Sequence, residues 1–201
     1  METDNQQVYQ FKISLKGIKP TIWRRIQVPE NYTFWELHVA IQDAMGWYDC
    51  HLHSFNILNP QTGRKEEIGI PDEDGELEFL AGWKTQISSY FSLQNKKADY
   101  DYDFGDNWEH SLLLEKIIPQ NFTQKYPLCI GGERACPPED CGGIGGYEDL
   151  LEIIKNPDYE ENDIMIELLG RSFNPEEFQS ENVYFDDPNK RWIRAFQDPT
   201  L

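Results

Sequence analysis

The sequence lacks a long hydrophobic run, and no stretch approaches the ~18 apolar residues that a membrane-spanning helix needs. Its first ten residues, METDNQQVYQ, contain neither the basic stretch nor the apolar stretch of a secretion signal. Both absences argue against a membrane or exported protein. We therefore expect a cytoplasmic protein without a membrane partner.

Basic residues are also scarce, with 18 Lys and Arg against 36 Asp and Glu and a net charge of −18. A field of this sign repels phosphate backbones and anionic lipids, which argues against nucleic acid as a partner. Only residues 8–29 collect bases without an acid, namely Lys12, Lys16, Lys19, Arg24 and Arg25. Trp23 and the two arginines could contact nucleic acid by stacking and charge. Arginines on a strand more often pair with acids, so we expect weak binding at most.

Cysteine is rare, with four residues in the chain. Without a secretion signal, we expect free thiols rather than disulfides. Cys129, Cys136 and Cys141 lack the tight Cys-x-x-Cys spacing that structural zinc sites usually contain. Two interpretations therefore stay open for these three: a zinc staple, or small buried apolar groups in a tightly folded loop.

Aromatic residues, in contrast, are abundant. Six Trp, ten Tyr and eleven Phe can fill the core of the 201-residue chain, and a domain of this size buries roughly 70% of its unfolded surface. No internal repeat is visible. We expect one domain over residues 1–201, with a helical C-terminal part over about 147–201.

The first part of the chain predicts a β-hairpin and then a helix. Apolar and polar residues alternate over 9–16, as in a strand buried on one face, and a second strand follows over 22–28. Thr33 and Glu36 have the spacing of a capping box, and an apolar stripe continues from there to Met45.

Four further strands are expected at His51–Leu58, 86–93, 99–104 and Trp108–Ile118. The acidic stretch 59–78, which also contains Gly and Pro, is expected to be an exposed loop. The last two strands form a second hairpin. We predict that both hairpins lie in one sheet, with the helix packed across it.

After this hairpin, residues 127–146 are rich in Cys, Pro and Gly and predict a loop. Helix signals follow at 147–155, 158–169, Asn174-Pro175 and Asp187-Pro188. The whole pattern predicts an α+β fold. Its sheet is mostly antiparallel and twisted, with an N-terminal hairpin and helix and with C-terminal helices.

Four segments, in this order, resemble the family named after a plasmid-borne open reading frame of the Ri plasmid pRiA. They are PTIWRRIQVP at 20–29, HVAIQDAMGWYDCHLHSF at 38–55, YDFGDNWEH at 102–110 and YPLCIGGERACPPEDCGGIGGY at 126–147. With the spacers between them, the resemblance covers about residues 9–155.

This resemblance implies a compact α+β fold and an association with plasmids and insertion elements, and it implies no established reaction. Proteins of this kind have been assigned as resolvases. A serine resolvase needs a nucleophilic Ser among clustered Arg residues and a helix-turn-helix, and this sequence shows neither.

A metal site is the sharpest chemical hypothesis. On one strand, His51 and His53 would point their imidazoles to the same face. Asp103, Asp106 and His110 lie around the tip of the second hairpin, which we expect to approach that strand. Imidazole and carboxylate ligands suit a divalent metal such as zinc or iron.

The same residues also have a purely structural interpretation, in which a histidine packs under Trp47 or Trp108 while the aspartates cap turns. Gly142–Gly146 could hold an anion at a helix start, but it lacks the Lys of a phosphate-binding loop, so a structural turn is favoured. The expected function is an accessory or binding protein that acts through protein contacts rather than an enzyme. A metal-dependent hydrolase and a weak nucleic-acid binder are the alternatives.

Overall fold

The computed structural model describes residues 6–71, 79–156 and 173–197. Within these residues the chain forms eight strands, β1 (Gln7–Leu15), β2 (Trp23–Pro29), β3 (His53–Leu58), β4 (Lys65–Gly69), β5 (Leu80–Ala81), β6 (Lys97–Tyr102), β7 (Trp108–Pro119) and β8 (Leu128–Glu133). It also forms the α-helices α1 (Phe34–Met45), α2 (Gly143–Lys155) and α3 (Pro188–Phe196).

All eight strands belong to one sheet, in the order β5-β4-β3-β6-β7-β1-β2-β8. β1 lies between β2 and β7, and β6 lies between β7 and β3, all in antiparallel pairs. The two hairpins that alternation predicts are therefore in the same sheet. Among the described residues the two-residue β5 adds the single parallel pair, with β4. The fold is α+β with a mostly antiparallel sheet, as the sequence predicts.

Helix α1 packs on this sheet, and its ends form as the sequence predicts. The Thr33 hydroxyl accepts a hydrogen bond from the Glu36 amide, and the Glu36 carboxylate accepts one from the Thr33 amide, which together make a capping box. The helix ends at Gly46, whose φ of 93° is left-handed and suits a residue without a side chain. On the sheet side, the Phe34 ring meets the Phe55 ring edge to face at 5.1 Å.

Two expectations for the middle of the chain are wrong. The predicted loop 59–78 contains β4, a charged strand in which Ile68 is the one large apolar residue that is buried. Because the strand is polar and lies near a sheet edge, its sequence shows no alternation of apolar and polar residues. The predicted strand 86–93 is a 3₁₀ turn, Ile87–Ser89. Within residues 86–93 the buried residues are Ile87, Tyr90 and Phe91. Their spacing of three and four residues fits a helical turn rather than a strand.

The C-terminal expectations are also revised. The predicted loop 127–146 contains β8, and α2 starts at Gly143, four residues before its predicted start at Tyr147. Asn174 starts no helix: its side chain accepts a hydrogen bond from the Glu176 amide and closes a single turn. In α3 the prediction is confirmed, because Asp187 caps the helix and Pro188 occupies its first turn. The predicted helix 158–169 lies outside the described residues.

Within the described ranges, none of the helices is long and apolar enough to cross a membrane.

Candidate metal-binding site

Three loops meet at one end of the sheet. The antiparallel register pairs His53 with Tyr102, so the segment before β3 and the turn after β6 lie side by side. The backbone amide of Asp103 extends this contact by donating to the Leu52 carbonyl, at 2.9 Å. The third loop is the stretch between β8 and α2. We call the meeting point of residues 46–52, 103–107 and 134–142 the three-loop site.

His51, Asp103 and Asp140 converge in this site. The Nε2 atom of His51 lies 3.0 Å from an Asp140 oxygen and 3.6 Å from an Asp103 oxygen. One ligand atom from each residue can be chosen so that all three lie within 4.8 Å of one another. The side chain of Asp103 is 10% exposed, that of His51 30% and that of Asp140 73%. Asp103 is therefore the buried member of the cluster, and Asp140 lies at its open mouth, where the cluster meets solvent.

Local hydrogen bonds fix the orientation of the Asp103 carboxylate. Its Oδ1 atom accepts from the amides of Gly105 and Asp106, at 2.9 and 3.2 Å, so it caps the hairpin turn. Its Oδ2 atom faces His51. The backbone of Asp103 and of Asp140 is left-handed, with φ of 55° and 54°, a conformation that Asp tolerates better than most residues. The left-handed backbone conformation at Asp103 and at Asp140 therefore helps to set the position of each carboxylate.

His53, which the sequence predicts to share a face with His51, lies elsewhere. Strand pairing starts at His53, and His51 stands in the irregular segment before it, so strand alternation does not relate the two. The His53 ring is 2% exposed and stacks on the ring of His38, with centroids 3.4 Å apart and planes 8° apart. Burial, and then the neighbouring His38, lowers the pKa of His53 well below its usual value. It is a core residue.

His110 is likewise a core residue. It is fully buried, its Nδ1 lies 3.2 Å from the Tyr100 carbonyl, and its ring meets the Trp47 ring edge to face at 5.3 Å. Burial lowers the pKa of His110 to about 4. The structural alternative, a histidine packed under a tryptophan, describes this residue.

Asp106 connects two of the loops. Its carboxylate accepts a hydrogen bond from the Gly142 amide at 3.1 Å, so the glycine stretch is held by a protein carboxylate. The backbone approaches closely here: a Cβ on Gly143 would lie 2.5 Å from the Asp106 carbonyl oxygen, and Gly143 has a φ of 67°. Of the five predicted site residues, the structure brings together His51 and Asp103, adds Asp140, and leaves His53, Asp106 and His110 outside the cluster.

A second carboxylate of the third loop, Glu139, lies beside Asp140. One of its oxygens accepts from the Tyr48 amide at 2.7 Å and from the Tyr102 hydroxyl at 3.0 Å. Burial raises the pKa of Glu139. Both acids line a groove of about 630 Å³ whose walls include Trp47 and Pro138. The site therefore combines the polar cluster of His51, Asp103 and Asp140 with a groove that has apolar walls.

Sequence patterns did not reveal the polar network behind the site. His38 donates from Nε2 to an Asp49 oxygen at 2.7 Å, its Nδ1 accepts from the Tyr100 hydroxyl at 2.9 Å, and that hydroxyl accepts from Gln42 at 2.9 Å. From α3, Arg191 pairs with Asp43 at 2.6 Å and lies 3.8 Å from an Asp49 oxygen, which joins it to this network. His38 lies in the apolar stripe of α1, so only its residue type could have indicated a polar role.

The cysteines make no metal cluster of their own. All four thiols are free, and in the described part of the chain the cluster of His51, Asp103 and Asp140 is the one group whose ligand atoms converge. Cys129 is buried in the core. Burial raises the pKa of Cys136 and raises that of Cys141 to about 12. Cys129 suits the interpretation as a small buried group, whereas Cys136 and Cys141 are partly exposed.

The two arginines of the predicted basic edge are engaged by contacts within the protein. Arg25 forms a bidentate pair with Glu115, at 2.7 and 2.9 Å. Arg24 is 1% exposed and donates to backbone carbonyls, with the Ala44 oxygen at 2.8 Å. Its guanidinium lies 3.7 Å from the centre of the Phe178 ring. Both arginines are therefore engaged by contacts within the fold, although the Arg25 side chain remains 29% exposed.

The three converging ligand atoms can hold a divalent cation. With bonds of ~2.0–2.2 Å, neighbouring ligand atoms around a tetrahedral metal lie roughly 3.4 Å apart. The two distances from His51 to the carboxylates, 3.0 and 3.6 Å, are near this value, and all three atoms lie within 4.8 Å of one another. One imidazole and two carboxylates suit zinc or iron(II) better than a thiolate-selective metal. Without a cation, the His51 ring nitrogen contacts the two carboxylates directly, at 3.0 and 3.6 Å.

Comparisons with known proteins agree with this fold. The chain is 32% identical over 197 residues to an uncharacterized protein of Sinorhizobium fredii, an alignment that covers 96% of this chain and 98% of the relative. A crystal structure of a protein of unknown function from Methanosarcina mazei is 49% identical, with a TM-score of 0.84, and covers 90% of this chain and 99% of that one. A sequence model of the plasmid pRiA4b ORF-3-like proteins matches residues 7–182. The chain belongs to the plasmid pRiA4b ORF-3-like family.

Proposed function

We propose that the protein is a metal-dependent binding protein, in which His51, Asp103 and Asp140 hold a zinc or iron(II) ion that also binds a group from a partner. The observation that carries the proposal is the convergence of the three ligand atoms within 4.8 Å. Three protein ligands leave coordination positions open. Asp140 lies at the open mouth of the cluster, where an incoming donor atom can reach those positions. The partner contact is the accessory role that we propose for this member of a plasmid-associated family.

Metal binding is tested by titrating the purified, metal-free protein with zinc or, without oxygen, with iron(II) in a calorimeter. We expect one ion per chain, and at least tenfold weaker binding in His51→Ala and Asp103→Asn. The second variant is matched to the fold, because asparagine keeps the Oδ1 acceptor that caps the turn and removes a carboxylate oxygen. Glu148→Gln, on the exposed side of α2, is the charge-matched control.

Binding that is unchanged in both site variants would place the metal elsewhere. A protein that takes up no ion would show that the contacts of His51 with Asp103 and Asp140 serve the fold alone. In that case the variants should differ from the wild type in stability alone.

A metal-dependent hydrolase is the second candidate, and Glu139 favours it. A carboxyl group whose pKa is raised by burial can carry a proton beside a metal-bound water. Glu139 directly precedes Asp140 and lines the same groove. Metal-dependent cleavage of a chromogenic ester or phosphodiester that is lost in both His51→Ala and Glu139→Gln would support turnover. If the wild type and the Glu148→Gln control cleave these substrates no faster than buffer does, the protein is a binder.

A further inference from the structure

One face of the sheet packs against the core, and the other face stays open to solvent. In β1, Phe11 and Ile13 are fully buried in the core, whereas Lys12 between them is only partly buried, as expected when successive side chains point to opposite faces. Side chains directly opposite one another in paired strands lie on the same face. The strand register therefore identifies the residues that share a face with Lys12. We call this side of the sheet the open face.

A row of basic side chains crosses the open face. The register pairs Lys12 of β1 with Arg25 of β2 on one side and with Leu113 of β7 on the other. It also pairs Leu113 with Lys97 of β6. At roughly 4.8 Å between neighbouring strands, the row extends for about 14 Å over four strands. We call these four residues the basic row, which contains three bases and no acid.

The positive charge of the basic row is only partly compensated within the protein. Lys12 and Arg25 are directly opposite each other, and like charges in such a pair destabilise a sheet. Glu115 pairs with Arg25, at 2.7 and 2.9 Å. The Trp23 ring lies 4.7 Å from Lys12 Nζ and 4.9 Å from the Arg25 guanidinium. Neither Lys12 nor Lys97 forms an ion pair with another described residue.

A groove of about 560 Å³ lies on the open face beside the basic row. Arg25 and Leu113 of the row line it, and the exposed Lys96 and Lys116 add two further bases. Glu115 is the one acid among the described residues that line the groove, and it is already paired with Arg25. The charge around the groove is therefore positive, although the chain as a whole has a net charge of −18.

An acidic strip of the open face lies apart from the basic row. It contains Asp99, Asp101 and Glu109, and Lys16 pairs with the first and the last of these, at 2.8 and 3.5 Å. Asp99 follows Lys97 by two residues on β6, or about 7 Å along the strand. A wide and stiff polyanion such as duplex DNA would meet the strip together with the row. A short flexible segment can reach the row alone.

We propose that the basic row and its groove bind an acidic, extended segment of a partner protein. Carboxylates of the segment would lie against Arg25, Lys12 and Lys97 and relieve the repulsion within the row. Because these bases are spread over about 14 Å, a chain with several carboxylates can contact them all, whereas one small anion cannot. Leu113 and Ile130, which is 40% exposed, add apolar contacts in the groove. At physiological salt, charges beyond ~8 Å are largely screened, so the local positive charge governs the contact.

The test uses the whole chain labelled with ¹⁵N and an acetylated heptapeptide amide, Glu-Ser-Glu-Ser-Glu-Ser-Glu. We expect amide shifts that saturate, that centre on the basic row and that weaken as salt is added. The same peptide with glutamine in place of every glutamate should bind at least tenfold more weakly. So should the acidic peptide with the double variant Lys12→Gln/Lys97→Gln. The matched control Lys84→Gln/Lys155→Gln removes the same charge at exposed lysines outside the row and should bind as the wild type does.

Four results would overturn the proposal. They are equal binding of the two peptides, equal weakening in the two double variants, displacement of the peptide by duplex DNA at concentrations below the dissociation constant of the peptide, and a dimer of this chain in sedimentation experiments that only Lys12→Gln/Lys97→Gln abolishes. The proposal requires no metal, and its variants leave His51, Asp103 and Asp140 unchanged. Its failure and the failure of the metal proposal can therefore be told apart.

Discussion

Acid should destabilise the protein through its buried histidines, and His110 allows a quantitative prediction. An unfolded histidine has a pKa of about 6.5, whereas burial lowers the pKa of His110 to about 4 in the folded protein. Between these values the unfolded chain binds a proton that the folded chain does not bind. The free energy of unfolding therefore falls as the pH falls below about 6.5.

The magnitude follows from the same values. At pH 5, which is about 1.5 pH units below the unfolded pKa, the folded imidazole is still almost neutral, and each pH unit costs about 1.4 kcal/mol. His110 alone should therefore lower the free energy of unfolding by about 2 kcal/mol between pH 7 and pH 5. His53, whose pKa is also lowered, acts in the same direction. Glu139 and Asp43 oppose it, because burial raises the pKa of both carboxyl groups.

The assay is urea unfolding, followed by tryptophan fluorescence, of the wild type and of His110→Phe at several pH values from 7 to 5. Phenylalanine is similar in size and does not titrate. The contribution of the other groups cancels in the difference between the two proteins. We expect the variant to lose about 2 kcal/mol less stability than the wild type over this range. If the two proteins lose the same stability within ~0.5 kcal/mol, His110 does not titrate in the way that its burial requires.

Two further predictions concern DNA binding and thiol reactivity. Because Arg25 pairs with Glu115 and Lys16 pairs with Asp99, we expect no sub-micromolar DNA binding at physiological salt in fluorescence anisotropy. Tight binding that weakens steeply with salt would contradict this account of the basic edge. A maleimide should modify the exposed Cys50 faster than Cys136, which is less exposed and whose pKa is raised by burial. Equal rates at both cysteines in peptide mass spectrometry would show that the loop before α2 opens readily.

Local patterns predicted the local elements of the fold. The capping spacing of Thr33 and Glu36 and the left-handed Gly46 set both ends of α1. Alternation over β1 predicted its buried face, which Phe11 and Ile13 occupy. The strand prediction at 86–93 failed because the strand reading ignored the spacing of three and four between the buried residues Ile87, Tyr90 and Phe91, which indicates a helical turn.

The candidate site could be predicted only in part, because it depends on contacts between distant parts of the chain. Asp140 is 89 residues from its partner His51, and no local period relates them. His51 was wrongly placed on the face of His53, because alternation was extended past His53, the first paired residue of β3. Register is fixed by partner strands, so a histidine just outside the ladder is not constrained by the pleat.

The metal site is tested most directly by anomalous diffraction from a crystal of the protein soaked in zinc. We predict one strong peak about 2 Å from His51 Nε2 and from oxygens of Asp103 and Asp140, and its absence in a crystal of His51→Ala. A zinc peak at Cys129, Cys136 or Cys141 with nothing at His51, or no peak at all, would contradict the account.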